Sequence, residues 1–179
     1  LDNSLKKLQT DYIDLYQLHG PQNWVIDFQN PASIEEIAKC MQNLLASGKV
    51  LNFGVCNMPI ELMQQIHDKV KLFSTQNLFS IFDQGDDFDD VHLPVGNQII
   101  PWAINNGLKF FAFSPLARGL LADGQDPSRI FPKDDERHFL PRFQPAVFPE
   151  WARIAIKLEN WAKDHGMTLV QLAVAWTLS

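Results

Sequence analysis

Apolar positions recur along this chain in two rhythms, one near 3.6 residues and one near 2 or unbroken, and the two take turns. Leu5 and Leu8 mark the end of a helix at about Asn3 to Gln9. The run Tyr12-Ile13-Asp14-Leu15-Tyr16-Gln17-Leu18 is rich in β-forming residues and is closed by Gly20-Pro21, so His19 falls at the C-terminal tip of a strand. Ser33-x-x-Glu36 forms a capping box ahead of Ile34, Ile37, Ala38, Met41, Leu44 and Leu45 at helical spacing, and Gly48 supplies a left-handed stop. Val50 to Val55 reads as a buried strand. Pro59 then sits in the first turn of a helix whose buried face is Leu62, Met63, Ile66 and Val70.

The alternation continues with a strand from about Leu72 to Gln76, a helix near Gln98 to Asn106 capped by Asn97, and a strand from Leu108 to Phe113. After Ser114-Pro115 a stretch of about thirty residues shows no sustained periodicity and reads as a flexible loop. Trp151, Ile154, Ala155, Leu158, Trp161 and Ala162 give an amphipathic stripe, and Thr168-x-x-Gln171 opens an almost wholly apolar helix from Leu169 to Leu178. Repeated βα units with apolar strands predict an α/β fold with a parallel sheet buried on both faces. Open doubly wound and closed barrel forms both fit this pattern. No GxGxxG follows any strand, which weighs against the dinucleotide-binding doubly wound fold.

Composition narrows the functional classes. An apolar fraction of 46%, thirteen Phe and five Trp predict a folded core, and 179 residues predict a single domain over the whole chain. A net charge of -6 without a basic block argues against a nucleic-acid partner or an anionic membrane surface. Cys40 and Cys56 form no CxxC or disulfide framework, which points to a reducing, cytoplasmic setting. No apolar stretch reaches the roughly 20 residues of a membrane span. The start on Leu1, inside a helix already in progress, reads as a cut within a longer polypeptide.

In βα architectures the active face lies at the C-terminal ends of the strands. Those ends carry His19, Cys56-Asn57, Gln76-Asn77, and Ser114 with Arg118 close behind. A neutral His can donate to a carbonyl, an amide pair can read a carboxamide, and Arg can meet a phosphate. Together they predict a binding site. The remaining histidines, His67, His92, His138 and His165, lack metal-ligand spacing and read as surface residues, so no metal is expected. Asp83 to Asp90 reads as a solvated loop near the substrate mouth rather than a calcium loop, since Phe88 and Pro94 occupy two of its key positions. Ser4-x-x-Lys7 lies on a polar helix face and is set aside. Among the tryptophans, Trp24 is the candidate wall of a substrate pocket.

The segments Ser4 to His19, Gly48-Lys49-Val50-Leu51-Asn52-Phe53-Gly54-Val55-Cys56-Asn57, Ser114-Pro115-Leu116-Ala117-Arg118-Gly119-Leu120-Leu121, and Gly166-Met167-Thr168 through Ala175-Trp176 resemble, in order, those of the aldo-keto reductase family. The resemblance implies a (β/α)8 TIM barrel, of which this chain holds the middle and later βα units. It also implies reduction of an aldehyde or ketone by hydride transfer from NADPH, with NAD as the alternative cofactor. By position, His19 would orient and polarise the carbonyl, while Asn57 and Gln76 would hold the nicotinamide carboxamide. Phe113 falls where the family stacks an aromatic on the nicotinamide, and Ser114, Pro115, Leu116 and Arg118 would line the pyrophosphate.

Two departures qualify this expectation. Cys56 replaces the family's Ser, a weaker hydrogen-bond donor that would loosen the cofactor's grip. The family's Asp, general-acid Tyr and Lys precede the first residue here, and its 2′-phosphate site follows Ser179. A barrel of this type takes about 250 residues, so the isolated segment is expected to be inactive. The alternative is a non-enzymatic, cofactor-sensing or regulatory member, or a truncated protein acting through partner contacts.

Overall fold

The computed structural model describes residues 1–20, 33–88 and 91–179, and for 86–88, 91 and 92 the backbone alone. Trp24 lies outside the described residues. The chain divides into two compact units, Leu1–Leu78 with Gln84–Phe113, and Phe79–Asp83 with Ser114–Ser179.

In the first unit, helix α1 (Asp2–Leu8) leads to strand β1 (Tyr16–His19), α2 (Ile34–Ala46), β2 (Phe53–Cys56), α3 (Ile60–Lys69) and β3 (Leu72–Leu78). A short hairpin, β4 (Asp86–Phe88) and β5 (Val91–Leu93), precedes a π turn at Val95–Ile99, α4 (Ile100–Asn105) and β6 (Lys109–Phe113). The four longer strands form a parallel sheet in the order β1-β2-β3-β6. β2 is buried at all four positions, as a strand covered on both faces must be. Val50, Phe53, Val55, Met58, Met63, Ile66 and Ala103 are among the core residues.

Local chemistry explains where these elements begin. Ser33 Oγ accepts from the Glu36 backbone N–H at 3.2 Å while Glu36 Oε2 accepts from the Ser33 N–H at 2.9 Å, completing the expected box on α2. Pro59 is the N-cap of α3 rather than a first-turn residue, its ψ of 147° being extended. The helix expected at Gln98 starts earlier, as a π turn, and Asn97 lies inside that turn instead of capping it. Pro101 falls in the opening turn of α4, directly after the π turn. The acidic run is not simply a loop, because Asp86–Phe88 pairs antiparallel with Val91–Leu93.

The second unit holds α5 (Phe148–Asp164) and α6 (Leu169–Leu178), preceded by short 3-10 turns at Ala117–Gly119, Glu136–Phe139 and Pro141–Phe143. The stretch expected to be a flexible loop is packed instead. Phe131, Phe143 and Phe148 are each buried, with ring centroids 5.0 to 5.9 Å apart. Gln125 Nε2 donates to the Gly119 and Ala122 carbonyls, and Gln144 Nε2 to those of His138 and Leu140. Asp135 accepts from Arg137 Nη2 at 2.6 Å and from its backbone N–H at 2.9 Å, and these contacts hold its carboxyl down at about 2. Arg142 bonds Asp83 at 2.6 Å and lies over Trp151. Thr168 and Gln171 form the second expected capping box, on α6. No helix among the described residues is long and apolar enough to cross a membrane.

Candidate active site

Side chains on a strand alternate between faces, and parallel register aligns partners on the same face. His19 is registered with Cys56, and Cys56 with Gln76, so three of the expected site residues lie side by side at the C-terminal end of the first unit's sheet. Phe113 is registered with Leu78 on the neighbouring edge, two residues beyond the Gln76–Phe111 pair and therefore on the same face. Asn77 does not join them. β3 continues through it, so it points to the opposite face, fully buried, accepting from Thr75 Oγ1 at 2.9 Å.

Asn57 leaves β2 with a left-handed backbone, φ 50°, a conformation that Asn tolerates better than most residues. Its N–H donates to the Gln76 carbonyl at 3.0 Å, which continues the ladder by one step and turns the side chain toward His19. Asn57 Nδ2 stands 3.5 Å from His19 Nε2. Asn57 Oδ1 is buried and has no hydrogen-bond partner. Such an orphaned acceptor costs on the order of 1–3 kcal/mol, and it marks a place prepared for an N–H donor. Gln76 Oε1 accepts from Gln17 Nε2 at 2.7 Å. Burial pushes the Cys56 thiol up to about 11, so it remains a neutral thiol at physiological pH, poor both as nucleophile and as donor.

Sequence reasoning passed over Gln17. The signal was available, since Gln17 stands two residues before His19 on the same strand and so shares its face. It also placed His67 at the surface, whereas His67 is buried and its Nδ1 accepts from the Leu72 N–H at 3.2 Å. That bond ties the end of α3 to the start of β3.

In the second unit, Ser114, Ala117 and Arg118 all have positive φ, at 52°, 48° and 56°. Three left-handed residues that are not glycine within five positions store strain of about 1–3 kcal/mol each, a feature concentrated at ligand-binding turns. The turn is held by Ala117 N–H to the Ser114 carbonyl at 2.8 Å and Leu121 N–H to the Leu116 carbonyl at 3.0 Å, over buried Ala117 and Leu120. Pro115 and Leu116 are half-buried in it. Arg118 is exposed and forms an ion pair with Glu136.

A cavity of about 180 Å³ in the first unit is lined by Pro59, Glu61, Leu93, Gln98 and neighbours, and none of the site residues borders it. Among the described residues no group of three or more His, Cys, Asp or Glu is placed to hold a metal ion.

The family model described as the aldo/keto reductase family matches residues 1–179. Aldo-keto reductase YhdN of Bacillus subtilis is 34% identical over 179 residues, which are 99% of this chain and 49% of that protein. The glycerol dehydrogenase AKR11B4 of Gluconobacter oxydans superposes with a TM-score of 0.83 at 29% identity, covering 99% of this chain and 49% of that one. An aldo/keto reductase of Klebsiella pneumoniae, solved in complex with NADP and acetate, gives 0.63 at 25% identity, covering 98% and 48%. The chain thus spans about half the length of the relatives it matches. A parallel βα sheet with His19, Asn57 and Gln76 at its strand ends, and a family match across every residue, make this chain a member of the aldo/keto reductase family.

Proposed function

We propose that the protein reduces an aldehyde or ketone to the alcohol with NADPH, within a single aldo-keto reductase domain that includes residues 1–179. The observation that carries this reading is the unpartnered, buried Oδ1 of Asn57 beside Gln76 and His19. A nicotinamide carboxamide offers one N–H2 and one C=O. Asn57 Oδ1 is an acceptor for the first, and Gln76, its own oxygen engaged by Gln17, is a donor for the second. The residues present therefore fit the group.

NADPH, when bound, supplies the hydride. His19 orients the carbonyl and polarises its oxygen, since a neutral imidazole carries one N–H donor. Cys56, kept as a neutral thiol, fills the space between His19 and Gln76 without adding charge. Phe113 provides a flat apolar face for the nicotinamide. Ser114, Pro115, Leu116 and Arg118 take the pyrophosphate, where the strained turn and the Arg118 guanidinium supply backbone donors and a positive charge. The NADP bound to the Klebsiella pneumoniae relative supports the cofactor assignment. Free thiols at Cys40 and Cys56 support a cytoplasmic setting.

The test is His19→Ala in the full-length protein, assayed with a panel of aldehydes and ketones. Loss of a positioned donor should lower kcat by about 10²-fold or more, with NADPH affinity within about twofold of wild type. Unchanged kcat would remove His19 from the mechanism.

A further inference from the structure

Gln17 and Gln76 are joined across a strand that lies between them. β2 separates β1 from β3, yet Gln17 Nε2 donates to Gln76 Oε1 at 2.7 Å. Gly54 makes this possible. It is registered with Gln17 on one side and Ser74 on the other, and a Cβ there would lie 2.3 Å from Ser74 Oγ and 3.1 Å from Gln17 Oε1. With no side chain at this point, Gln17 reaches over β2 to the amide of Gln76.

A primary amide has a donor end and an acceptor end of nearly equal size, so its direction must be set by its neighbours. Once its Oε1 is held by Gln17, Gln76 has only N–H groups to offer a ligand. Gln17 Oε1 and Ser74 Oγ border the same gap over Gly54, and both atoms are buried without a hydrogen-bond partner. Asn57 presents the complement, a buried oxygen.

We infer that Gln17 is a positioning residue, which fixes the end of the Gln76 amide that meets the cofactor's carboxamide. This rests on the NADPH reading above. Gln17 touches neither cofactor nor substrate; it acts through Gln76.

The experiment measures the dissociation constant of NADPH by fluorescence in the full-length protein, for Gln17→Glu made alone and in a Gln76→Met background. Melting temperature is recorded alongside. In Gln17→Glu the new carboxylate only accepts, so Gln76 turns its N–H2 toward it and shows an oxygen to the carboxamide oxygen of the ligand. Gln17→Glu alone should therefore weaken NADPH about tenfold, the scale of one misplaced hydrogen bond. With Gln76→Met there is no amide to turn, and adding Gln17→Glu should change the affinity by less than about twofold. Equal weakening in the two backgrounds, as a purely structural role would give, or no weakening in either, would overturn the inference.

If Gln17→Glu fails to fold, Gln17→Met decides. It keeps the packing volume and removes only the amide, so NADPH should weaken about threefold or more with the melting temperature nearly unchanged. Affinity equal to wild type would overturn the inference. Absence of saturable NADPH binding in the wild-type protein would instead defeat the cofactor reading itself, and so separates the two failures.

Discussion

His67 shows what one side chain can hide from a sequence. Its Nδ1 accepts the Leu72 N–H, its ring meets Trp102 edge-on at 6.0 Å, and burial, reinforced by nearby Lys71 and opposed by Asp68, lowers its pKa below 6.5. The neutral form is thus favoured in the folded state. Above about pH 6.5 both states are neutral and the contribution is fully present; below it the unfolded chain protonates first, and stability is lost as pH falls through the folded value. Urea midpoints between pH 7.5 and about 5 should decline in wild type and decline less steeply in His67→Gln, whereas equal slopes would contradict the account. The placement of His19, Asn57 and Gln76 at one end of the sheet was legible, because successive parallel strands of a βα pattern end on the same side. His67 was not, because a polar residue in an amphipathic helix reads as solvated unless its partner, the Leu72 backbone, is known.

The helices were the most legible elements, since capping boxes at Ser33 and Thr168 are local chemistry carried by residues three apart. The segment between β6 and α5 was the least legible. Its order comes from contacts distant in sequence, such as Phe131 against Phe143 and Phe148 and Arg142 on Asp83, and these leave no periodic trace. The guanidinium of Arg137 also covers the Phe131 ring, at 4.5 Å from its centroid. Phe131→Ala should therefore cost about 3–5 kcal/mol and open the segment to limited proteolysis. A variant as resistant to protease as wild type would show that the aromatic cluster does not organise it. Asn77 illustrates the same limit in a strand: extending β3 by two residues moves it from the site face to the core.

At the scale of the molecule, the ordered succession of βα units predicted the parallel sheet, and the four family-like segments identified the ancestry now shown by the match over residues 1–179. The division into two compact units was not legible, because Phe79–Asp83 joins the second unit through side-chain contacts, including the stacking of Phe79 on Trp176 at 5.1 Å. In the function proposed above, Asn57 and Gln76 receive the nicotinamide carboxamide. A fluorescence titration of the full-length protein with NADPH, alongside Asn57→Ala, measures this. Saturable binding is expected in wild type, with a dissociation constant about tenfold higher in the variant. No saturable change at high micromolar NADPH, or equal affinity in the two proteins, would contradict it.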